Sequence, residues 1–217
     1  MELIGYEICP YVQRCIILLL VKGTPHRLTF IDLEHPPSWF RALSPLGQVP
    51  VLKVEDRALF DSGVINEYLD EAFPPRLHPE DPLPRAWHRS WIAFGTACLS
   101  SLAALYLAKE ERDYLRARGD LLHKLRRLEQ ILEPLPFFGG KALSLVDVAY
   151  APFFVRLELL QGRHAFYPEE HFPKISRWGK ALLDLPQVQD SLVPDFSQRF
   201  FAHIRKKGPY AARLFSP

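Results

Sequence analysis

The sequence predicts two structural units, a mixed α/β unit in the first third of the 217-residue chain and an all-helical bundle in the remainder. In the first third, short apolar runs alternate with helical segments. Beyond residue 85, apolar residues recur at helical spacing. Between the two, residues 73–84 hold five prolines, which end helices and stiffen extended chain. We therefore expect a first domain at 1–76, a proline-rich linker at 77–84 and a helical domain at 85–217.

The first unit is predicted to run in the order strand, helix, strand, short helix, hairpin, helix. Gly23 stands where a glycine commonly follows a helix end, and Ser62 is the predicted cap of the last helix. Because a crossover helix joins the first two strands, we expect them to be parallel, with the hairpin antiparallel. The predicted segments are strand 2–6, helix 10–22, strand 26–32, helical turn 38–43, strands 49–54 and 58–60, and helix 62–72.

The second unit is predicted to be a helical bundle. Ser144-Leu145-Val146-Asp147 matches a capping box, which we interpret as structural. The basic tail at 196–217 is expected to be solvated, with closure over a binding cleft as the alternative. The predicted helices are 85–108 (with Tyr114 as an extension), 119–132, 144–160, 175–183, 188–192 and 196–206.

Composition excludes several classes of function. The formal net charge of +2 is too small to indicate binding to nucleic acid or to an anionic membrane. Three cysteines, an odd number, do not indicate a disulfide framework and suit a reducing compartment, so we expect a cytoplasmic protein. The first residues do not resemble a signal peptide, and the apolar run at 15–21 is far short of the roughly 20 residues that span a bilayer. No metal site and no stable membrane insertion are predicted.

Cys9 is the most informative residue of the chain. It lies between the first strand and the first helix, and Pro10 follows it at the position that favours proline in a helix. Cys9 is therefore the expected N-cap, facing free N–H groups and the positive end of the helix dipole, which lowers a thiol pKa. The alternative is a buried cysteine that packs as a small hydrophobe.

The site is predicted to contain one cysteine. Val12 occupies the place of the second thiol in a dithiol motif, and Cys15 falls on a helix face poorly placed to reach Cys9. We expect Cys15 to be core. A single-cysteine site needs an external thiol to resolve a mixed disulfide.

Two further segments indicate a peptide-like ligand. Val49-Pro50 opens a strand, and a cis bond there would turn the Val49 backbone outward, although trans is the default from sequence alone. Asp61-Ser62 opens a helix, where simple capping is the favoured interpretation of the motif taken alone. The other is a site for an α-amino acid head group, with the carboxylate at the helix start and the ammonium at Asp61.

Taken together, these motifs resemble the cytosolic glutathione transferases, and most closely the cysteine-type, omega-like branch. The resemblance covers nearly the whole chain and is carried by residues 9–14 (Cys-Pro-Tyr-Val-Gln-Arg), Trp39-Phe40, residues 47–52 (Gly-Gln-Val-Pro-Val-Leu) and residues 67–71. It implies a thioredoxin-like first domain, an all-helical second domain, a homodimer, and glutathione as co-substrate in the cleft between the domains.

The resemblance also implies roles for individual residues. Cys9 is the catalytic residue, and glutathione is bound by Pro10, Tyr11, Val49, Pro50, Asp61 and Ser62. Val49 pairs with the cysteinyl part beside a cis Pro50, and Asp61 with Ser62 holds the γ-glutamyl head group. One departure is Pro36, which stands where the omega pattern has a lysine for the glycyl end.

The residue type at position 9 favours thiol transfer. A serine or tyrosine donates a hydrogen bond to the glutathione thiolate, whereas a cysteine thiolate forms a mixed disulfide. Reduction of dehydroascorbate or of an α-glutathionyl ketone would use the same nucleophile. The second substrate is expected to be small and hydrophobic or to contain a disulfide. Its pocket is expected between Tyr11 and the long helix from Arg85. Aromatic character alone offers four candidates, for each of which core packing is the favoured interpretation: Trp87, Trp91, Phe94 and Trp178.

Three alternatives stay open. The same fold can serve as a binding module without chemistry. Conventional conjugation of glutathione to electrophiles is the second. A protein like the chloride intracellular channels is the third, although Gln13 and Arg14 are unfavourable in lipid.

Overall fold

The computed structural model describes residues 1–215, so residues 216 and 217 of the predicted helical domain and basic tail lie outside the described residues. The first 72 residues form a four-stranded sheet with three helices. The bounds are β1 (Glu2–Gly5), α1 (Pro10–Val21), β2 (Arg27–Phe30), α2 (Phe40–Leu43), β3 (Val51–Val54), β4 (Arg57–Phe60) and α3 (Ser62–Ala72).

The sheet has the strand order β2-β1-β3-β4. Strand β1 is parallel to β2 and antiparallel to β3, so that Ile4 lies opposite both Thr29 and Val51. Strands β3 and β4 form the predicted antiparallel hairpin. This mixed sheet confirms the expected fold of the first unit, and its element order is the predicted one.

Both ends of α1 follow from its sequence. Pro10 is the first helical residue and Cys9 is the N-cap, as predicted. At the other end Gly23 adopts a φ of 59°, and the N–H of Thr24 donates to the carbonyl of Leu19 at 3.1 Å. This left-handed glycine satisfies carbonyls that the helix end leaves unpaired.

Close packing of α1 on the sheet needs a glycine in β1. A Cβ atom at Gly5 would come within 2.4 Å of Cγ1 of Val12. The absence of a side chain at this position therefore lets the first turn of α1, which follows Cys9, lie directly against the strand.

The second unit is entirely helical over the residues described. Its elements are α4 (Pro82–Tyr106), α5 (Glu111–Ile131), α6 (Leu145–Gln161), a 3-10 turn at Glu169–His171, α7 (Pro173–Leu183), α8 (Pro186–Asp190), α9 (Phe196–Lys207) and α10 (Pro209–Phe215). Helix α4 packs on α5 and on α6, and α1 packs on α6.

Several helix bounds differ from the sequence-based expectation, and those of α4 and α5 differ most. Helix α4 begins at Pro82, because Asp81 caps it and proline is compatible with a first helical turn. Helix α5 begins at Glu111, continues through Gly119 and includes Tyr114. A glycine inside a helix costs only about 1 kcal/mol, which tertiary packing overrides. Helix α10 was not predicted.

The capping box at the start of α6 is confirmed. The Asp147 carboxylate accepts hydrogen bonds from the Ser144 N–H at 2.8 Å, from the Phe138 N–H at 2.8 Å and from the Trp178 Nε1–H at 2.7 Å. Burial raises the pKa of Asp147 in spite of these donors. The motif is therefore a buried structural junction between α6, α7 and the preceding loop.

The basic tail is folded rather than free. Buried apolar residues, including Phe200 and Ile204, anchor α9. Arg199 pairs with Glu7 at 2.7 Å, and Lys206 pairs with Glu34 at 2.7 Å. Neither α9 nor α10 contributes to the lining of the main cleft described below, so the described part of the tail does not close it. Among the described residues, no helix has the length and apolar character needed to cross a membrane.

Candidate active site

A cleft of about 1090 Å³ lies between the first unit and helices α4 and α6. One wall comes from α1, the segment before β3 and the start of α3, and the other from α4 and α6. Pro10 opens α1 without lining the cleft. The other six residues predicted for the site all line it: Cys9, Tyr11, Val49, Pro50, Asp61 and Ser62.

Cys9 lies at the N-terminus of α1 and is half-buried. Its N–H donates to the Tyr6 carbonyl at 3.0 Å, and its own carbonyl accepts the first helical hydrogen bond from the Gln13 N–H at 3.0 Å. The thiol makes no capping hydrogen bond within the protein. The sulfur is therefore held in place by its backbone while it remains available to a ligand.

Burial raises the pKa of the Cys9 thiol above its ordinary value. The N–H groups of Tyr11 and Val12 and the guanidinium groups of Arg156 and Arg14 act in the opposite direction without outweighing desolvation. The sequence-based prediction of a lowered pKa is therefore wrong in direction. A helix start favours a thiolate only as far as the surrounding protein leaves it hydrated.

The other two cysteines belong to the core. Cys15 has no exposed surface, and its thiol contacts the Tyr11 carbonyl at 3.5 Å, which confirms the prediction of core packing. Cys98 is also fully buried, and burial raises its pKa to about 12. Cys9 is thus the one cysteine of the chain that reaches the cleft.

The Val49–Pro50 peptide bond is cis, as the resemblance implied. Within residues 1–215, neither the N–H nor the C=O of Val49 has a partner among the hydrogen bonds of the chain. The preceding residue is fixed, because Gln48 exchanges two hydrogen bonds of 2.8 and 2.9 Å with the Ser44 hydroxyl. Val49 therefore presents an unpaired backbone donor and acceptor at the cleft.

Asp61, rather than the predicted Ser62, is the N-cap of α3. Its carboxylate accepts from the Gly63 N–H at 2.8 Å and from the Val64 N–H at 3.2 Å. Asp61 adopts a φ of 68°, a conformation that aspartate tolerates better than most residues. Asp61 occupies the N-cap position because this backbone conformation turns its side chain toward the first free N–H groups. Ser62 is then the first helical residue.

Glu67 and Arg89 also line this end of the cleft, and sequence reasoning missed both. Arg89 on α4 donates to Glu67 on α3 through Nε at 2.9 Å and Nη2 at 2.5 Å, and His78 Nε2 lies 3.0 Å from the same carboxylate. Although burial acts to raise it, Arg89 and His78 hold the pKa of Glu67 below its usual value. The spacing of Glu67 from Asp61 was visible in the sequence, but its partner on another helix was not.

Arg14 supplies a buried cation at the floor of the cleft. Its guanidinium lies 5.2 Å from the centre of the Tyr11 ring, and Nη1 lies 3.4 Å from the Thr96 hydroxyl. Its Nε and Nη2 atoms have no partner among the described residues. Desolvation lowers the pKa of Arg14 from its ordinary value.

Apart from Arg89, the helical wall of the cleft is mainly aliphatic, and its other lining residues are Ile92, Ala93, Thr96, Leu145 and Ala149. None of the four aromatic residues proposed for the acceptor pocket lines it. Trp178 and Trp91 are buried in the core, and Trp87 lies on the surface with 52% of its area exposed. The prediction from aromatic character alone is therefore wrong, and the alternative of core packing holds for the two buried tryptophans.

The loop that carries Pro36 contributes only Leu33 to the cleft lining. His35 pairs with Asp32, whose carboxylate lies 3.2 Å away, and both side chains are exposed. The edge of the cleft near Val49 is otherwise formed by Leu46, Gly47 and Gln48.

The arrangement fits a small peptide that carries a thiol. A backbone donor and acceptor at Val49 can pair with an extended peptide, and the start of α3 with Asp61 can hold an α-amino acid head group. Cys9 lines the same cleft as these two groups. Among residues 1–215, no three His, Cys, Asp or Glu side chains are grouped so as to hold a metal ion.

Comparison with known families identifies the class of protein that this fold and cleft define. Residues 8–72 match the model of the glutathione S-transferase N-terminal domain, and residues 102–181 match that of the C-terminal domain. The chain belongs to the glutathione S-transferase family.

The similar proteins come from more than one class of that family. The chain is 33% identical over 199 residues to mouse glutathione S-transferase omega-1, a match that covers 90% of this chain and 82% of the relative. The tau-class glutathione S-transferase of mango is 26% identical with a TM-score of 0.79, covering 98% and 97% of the two chains. Rice GST1, solved in complex with glutathione, is 26% identical with a TM-score of 0.84 and 96% coverage of each chain.

Proposed function

We propose that this glutathione transferase is a thiol transferase in which Cys9 forms a mixed disulfide with glutathione. The observation that carries the proposal is the position of Cys9, the one cysteine of the chain in the cleft, at the start of α1 beside the unpaired backbone of Val49. Glutathione acts as co-substrate, bound by Tyr11, Val49, Pro50, Asp61 and Ser62, with Pro10 fixing the helix start.

The reaction consists of two thiol–disulfide exchanges. The Cys9 thiolate attacks the glutathionyl sulfur of a mixed disulfide R–S–SG, the S–S bond breaks, and the thiolate RS⁻ leaves and takes up a proton. A second glutathione thiolate then attacks the glutathionyl sulfur on Cys9. This step releases oxidised glutathione and restores the Cys9 thiolate, so the two exchanges balance without a further oxidant or reductant.

The pocket for the second substrate is the aliphatic wall formed by Ile92, Ala93, Leu145 and Ala149. A wall of this kind supports small hydrophobic or disulfide-containing substrates, because it offers contact area with few polar groups that require partners. The small side chains of Ala93 and Ala149 leave the space that such a substrate would fill.

Conventional conjugation of glutathione to electrophiles is the second candidate, favoured by the raised pKa of Cys9. A protonated Cys9 would donate a weak S–H hydrogen bond to the glutathione thiolate, as a hydroxyl does. Similarity to the mango tau-class enzyme as well as to mouse omega-1 supports keeping this alternative.

Two assays on the parent and on Cys9→Ser distinguish the candidates. Thiol transfer from a mixed disulfide of glutathione and a small thiol should fall at least about a hundredfold in Cys9→Ser, since serine cannot form a disulfide. Conjugation of 1-chloro-2,4-dinitrobenzene should be weak in the parent and retained or increased in the variant. Strong conjugation in the parent that is retained in Cys9→Ser and lost in Cys9→Ala, with no thiol transfer, would establish the second candidate instead, because serine keeps a hydrogen-bond donor and alanine does not.

A cytoplasmic homodimer is part of the proposal. Apolar side chains on β4, α3 and α4 are exposed in the single chain and would be covered by a second copy, namely Phe60, Val64, Leu83 and Trp87. Sedimentation of the purified protein tests the dimer, and a monomer at micromolar concentration would contradict it.

A further inference from the structure

We propose that Arg156, on helix α6, is a positioning residue for Cys9 that holds the chain on both sides of the thiol from the helical half of the molecule. The inference rests on the proposed role of Cys9 as nucleophile and extends it to a residue that does not line the cleft.

The contacts of Arg156 bracket Cys9 along the chain. Its Nη2 donates to the Ile8 carbonyl at 2.8 Å, and its Nη1 donates to the Gln13 side-chain carbonyl at 2.7 Å. Ile8 immediately precedes Cys9, and Gln13 lies one helical turn beyond it, where its N–H meets the Cys9 carbonyl. One side chain from α6 therefore fixes both the loop that leads into α1 and the first turn that leads out of the cysteine.

The hydrogen bonds that begin at Arg156 continue through Gln13 to helix α8. The Gln13 Nε2 donates to the Ser191 hydroxyl at 3.0 Å, and that hydroxyl donates to the Val188 carbonyl at 2.6 Å. The Phe196 ring covers the Arg156 guanidinium at 5.2 Å. Because Arg156 and Gln13 are buried, water does not compete for these bonds, and the start of α1 is fixed relative to α6 and the end of α8.

The charge of Arg156 has no carboxylate partner among the described residues. Its hydrogen-bond acceptors are all neutral carbonyl oxygens, those of Ile8, Gln13 and Pro152. Desolvation lowers the pKa of Arg156 to about 10, so it remains a cation at neutral pH. A buried cation is expensive to leave uncompensated, and Nη2 of this one donates to the carbonyl of the residue before the thiol, whereas its Nε has no partner among the described residues.

The groups near Arg156 that can become anionic are Tyr106 on α4 and Cys9 itself. Burial raises the pKa of Tyr106, so its hydroxyl stays protonated at neutral pH. The other ionisable groups that interact with Cys9 include Arg14, Tyr106 and the buried Cys15, whose own pKa is raised by burial. A Cys9 thiolate is thus the anion that this arrangement of α1, α4 and α6 can accommodate beside Arg156.

Three variants separate charge from position. Arg156→Gln removes the charge but keeps one donor for the Ile8 carbonyl, and Arg156→Lys keeps the charge but cannot make the forked contacts to Ile8 and Gln13. Arg118→Met is the matched control, because Arg118 also donates to a backbone carbonyl, that of Phe166, away from the cleft. Circular dichroism establishes that each variant folds.

Two measurements are made on each protein without glutathione. The first is the rate of iodoacetamide alkylation of Cys9 against pH, resolved by peptide mass spectrometry. The second is hydrogen exchange of the segment 6–13, which reports local opening around the thiol.

We expect Arg156→Gln to raise the midpoint of the Cys9 profile by about one pH unit and to slow alkylation at pH 7 about threefold. At a fixed pH below the pKa, the thiolate fraction falls tenfold for each unit by which the pKa rises. A more basic thiolate is also a better nucleophile, so the alkylation rate falls by less than the thiolate fraction. Segment 6–13 should exchange faster in both Arg156 variants, while Arg156→Lys keeps the midpoint near that of the parent. Arg118→Met should match the parent in both measurements.

The inference would be overturned if both Arg156 variants fold and neither differs from the parent. In that case the midpoint of the Cys9 alkylation profile and the exchange rate of segment 6–13 would both equal those of the parent in Arg156→Gln and in Arg156→Lys. Should Arg156→Gln fail to fold, the exchange of segment 6–13 in Arg156→Lys decides the matter. The readouts need no glutathione, so they also separate this inference from the proposed function. A parent that forms no glutathione adduct would end the proposed function while the effect of Arg156 on Cys9 could still be measured.

Discussion

The two walls of the cleft are built from different parts of secondary structure. The wall from the first unit consists of the beginnings of elements: the N-termini of α1 and α3 and the residues that lead into β3. It presents the Cys9 thiol, the unpaired backbone of Val49 and the Asp61 carboxylate. The opposite wall consists of the interior of α4 and the first turns of α6, where side chains such as Ile92, Ala93 and Ala149 form the surface.

This difference explains how one cleft can combine a fixed and a variable ligand. Backbone groups at element ends keep their geometry when side chains change, so the first wall suits a constant peptide such as glutathione. Side chains in the interior of helices can be exchanged without altering the backbone, so the second wall suits the part of the site that selects the acceptor.

The largest predicted effect is the pH dependence of the rate at which Cys9 is alkylated. Cys9 lies where the two walls of the cleft meet. Because burial raises its pKa above the ordinary value, the thiol form prevails at neutral pH. Alkylation should therefore rise about a hundredfold between pH 7 and pH 9, since the thiolate fraction grows tenfold for each unit below the pKa. A rate that is already constant above pH 7 would show that the helix start lowers the pKa after all.

The second effect separates the charge of Asp61 from its role as a cap. Asp61→Asn keeps the capping oxygen and tolerates the left-handed backbone but removes the charge. We expect the KM for glutathione to rise about thirtyfold, from the loss of a charged contact of about 2 kcal/mol, while the KM for the acceptor stays the same.

Asp81→Asn is the control for that experiment, because Asp81 caps α4 in the same way, with its carboxylate 2.9 Å from the Leu83 nitrogen, and does not line the cleft. Equal changes of KM in the two variants would remove Asp61 from the glutathione site.

The smallest effect concerns the helical wall. Ala93→Trp fills space at an exposed position of α4 that lines the cleft. It should raise the KM for bulky acceptors about fivefold and leave that for glutathione unchanged, because the pocket loses volume on one side only. Ala104→Trp, at an exposed position of the same helix outside the cleft, should change neither constant. A change in the glutathione KM alone would assign Ala93 to the other wall.

The wall from the first unit was predicted better than the helical wall, because its features depend on residues adjacent in the sequence. The N-cap of α1 and the range of α3 each depend on a few adjacent residues, and both were predicted. The strand expected at 49–54 is present but begins at Val51, after Pro50. Six residues of the first wall were therefore identified before the structure, whereas Glu67 was not. Even there, Asp61 rather than Ser62 caps α3, because backbone conformation decides which of two suitable neighbours takes the position.

The remainder depends on contacts distant in the chain. Glu67 meets Arg89 from another helix, and burial rather than aromatic character decides that Trp178 belongs to the core. The direction of the Cys9 pKa likewise follows from the protein packed around the thiol, which no local motif encodes. Helix propensity failed at Gly119 for the same reason, since packing of α5 on α4 carries the helix through the glycine.

The most direct test of the proposed mechanism is an intact mass after incubation with oxidised glutathione, made on the parent and on Cys9→Ala. The parent should gain one glutathionyl unit, lose it again in excess reduced glutathione, and show none in Cys9→Ala, because Cys15 and Cys98 are buried. An unmodified parent, or an adduct that persists in Cys9→Ala, would contradict the assignment of Cys9 as the thiol-transfer nucleophile.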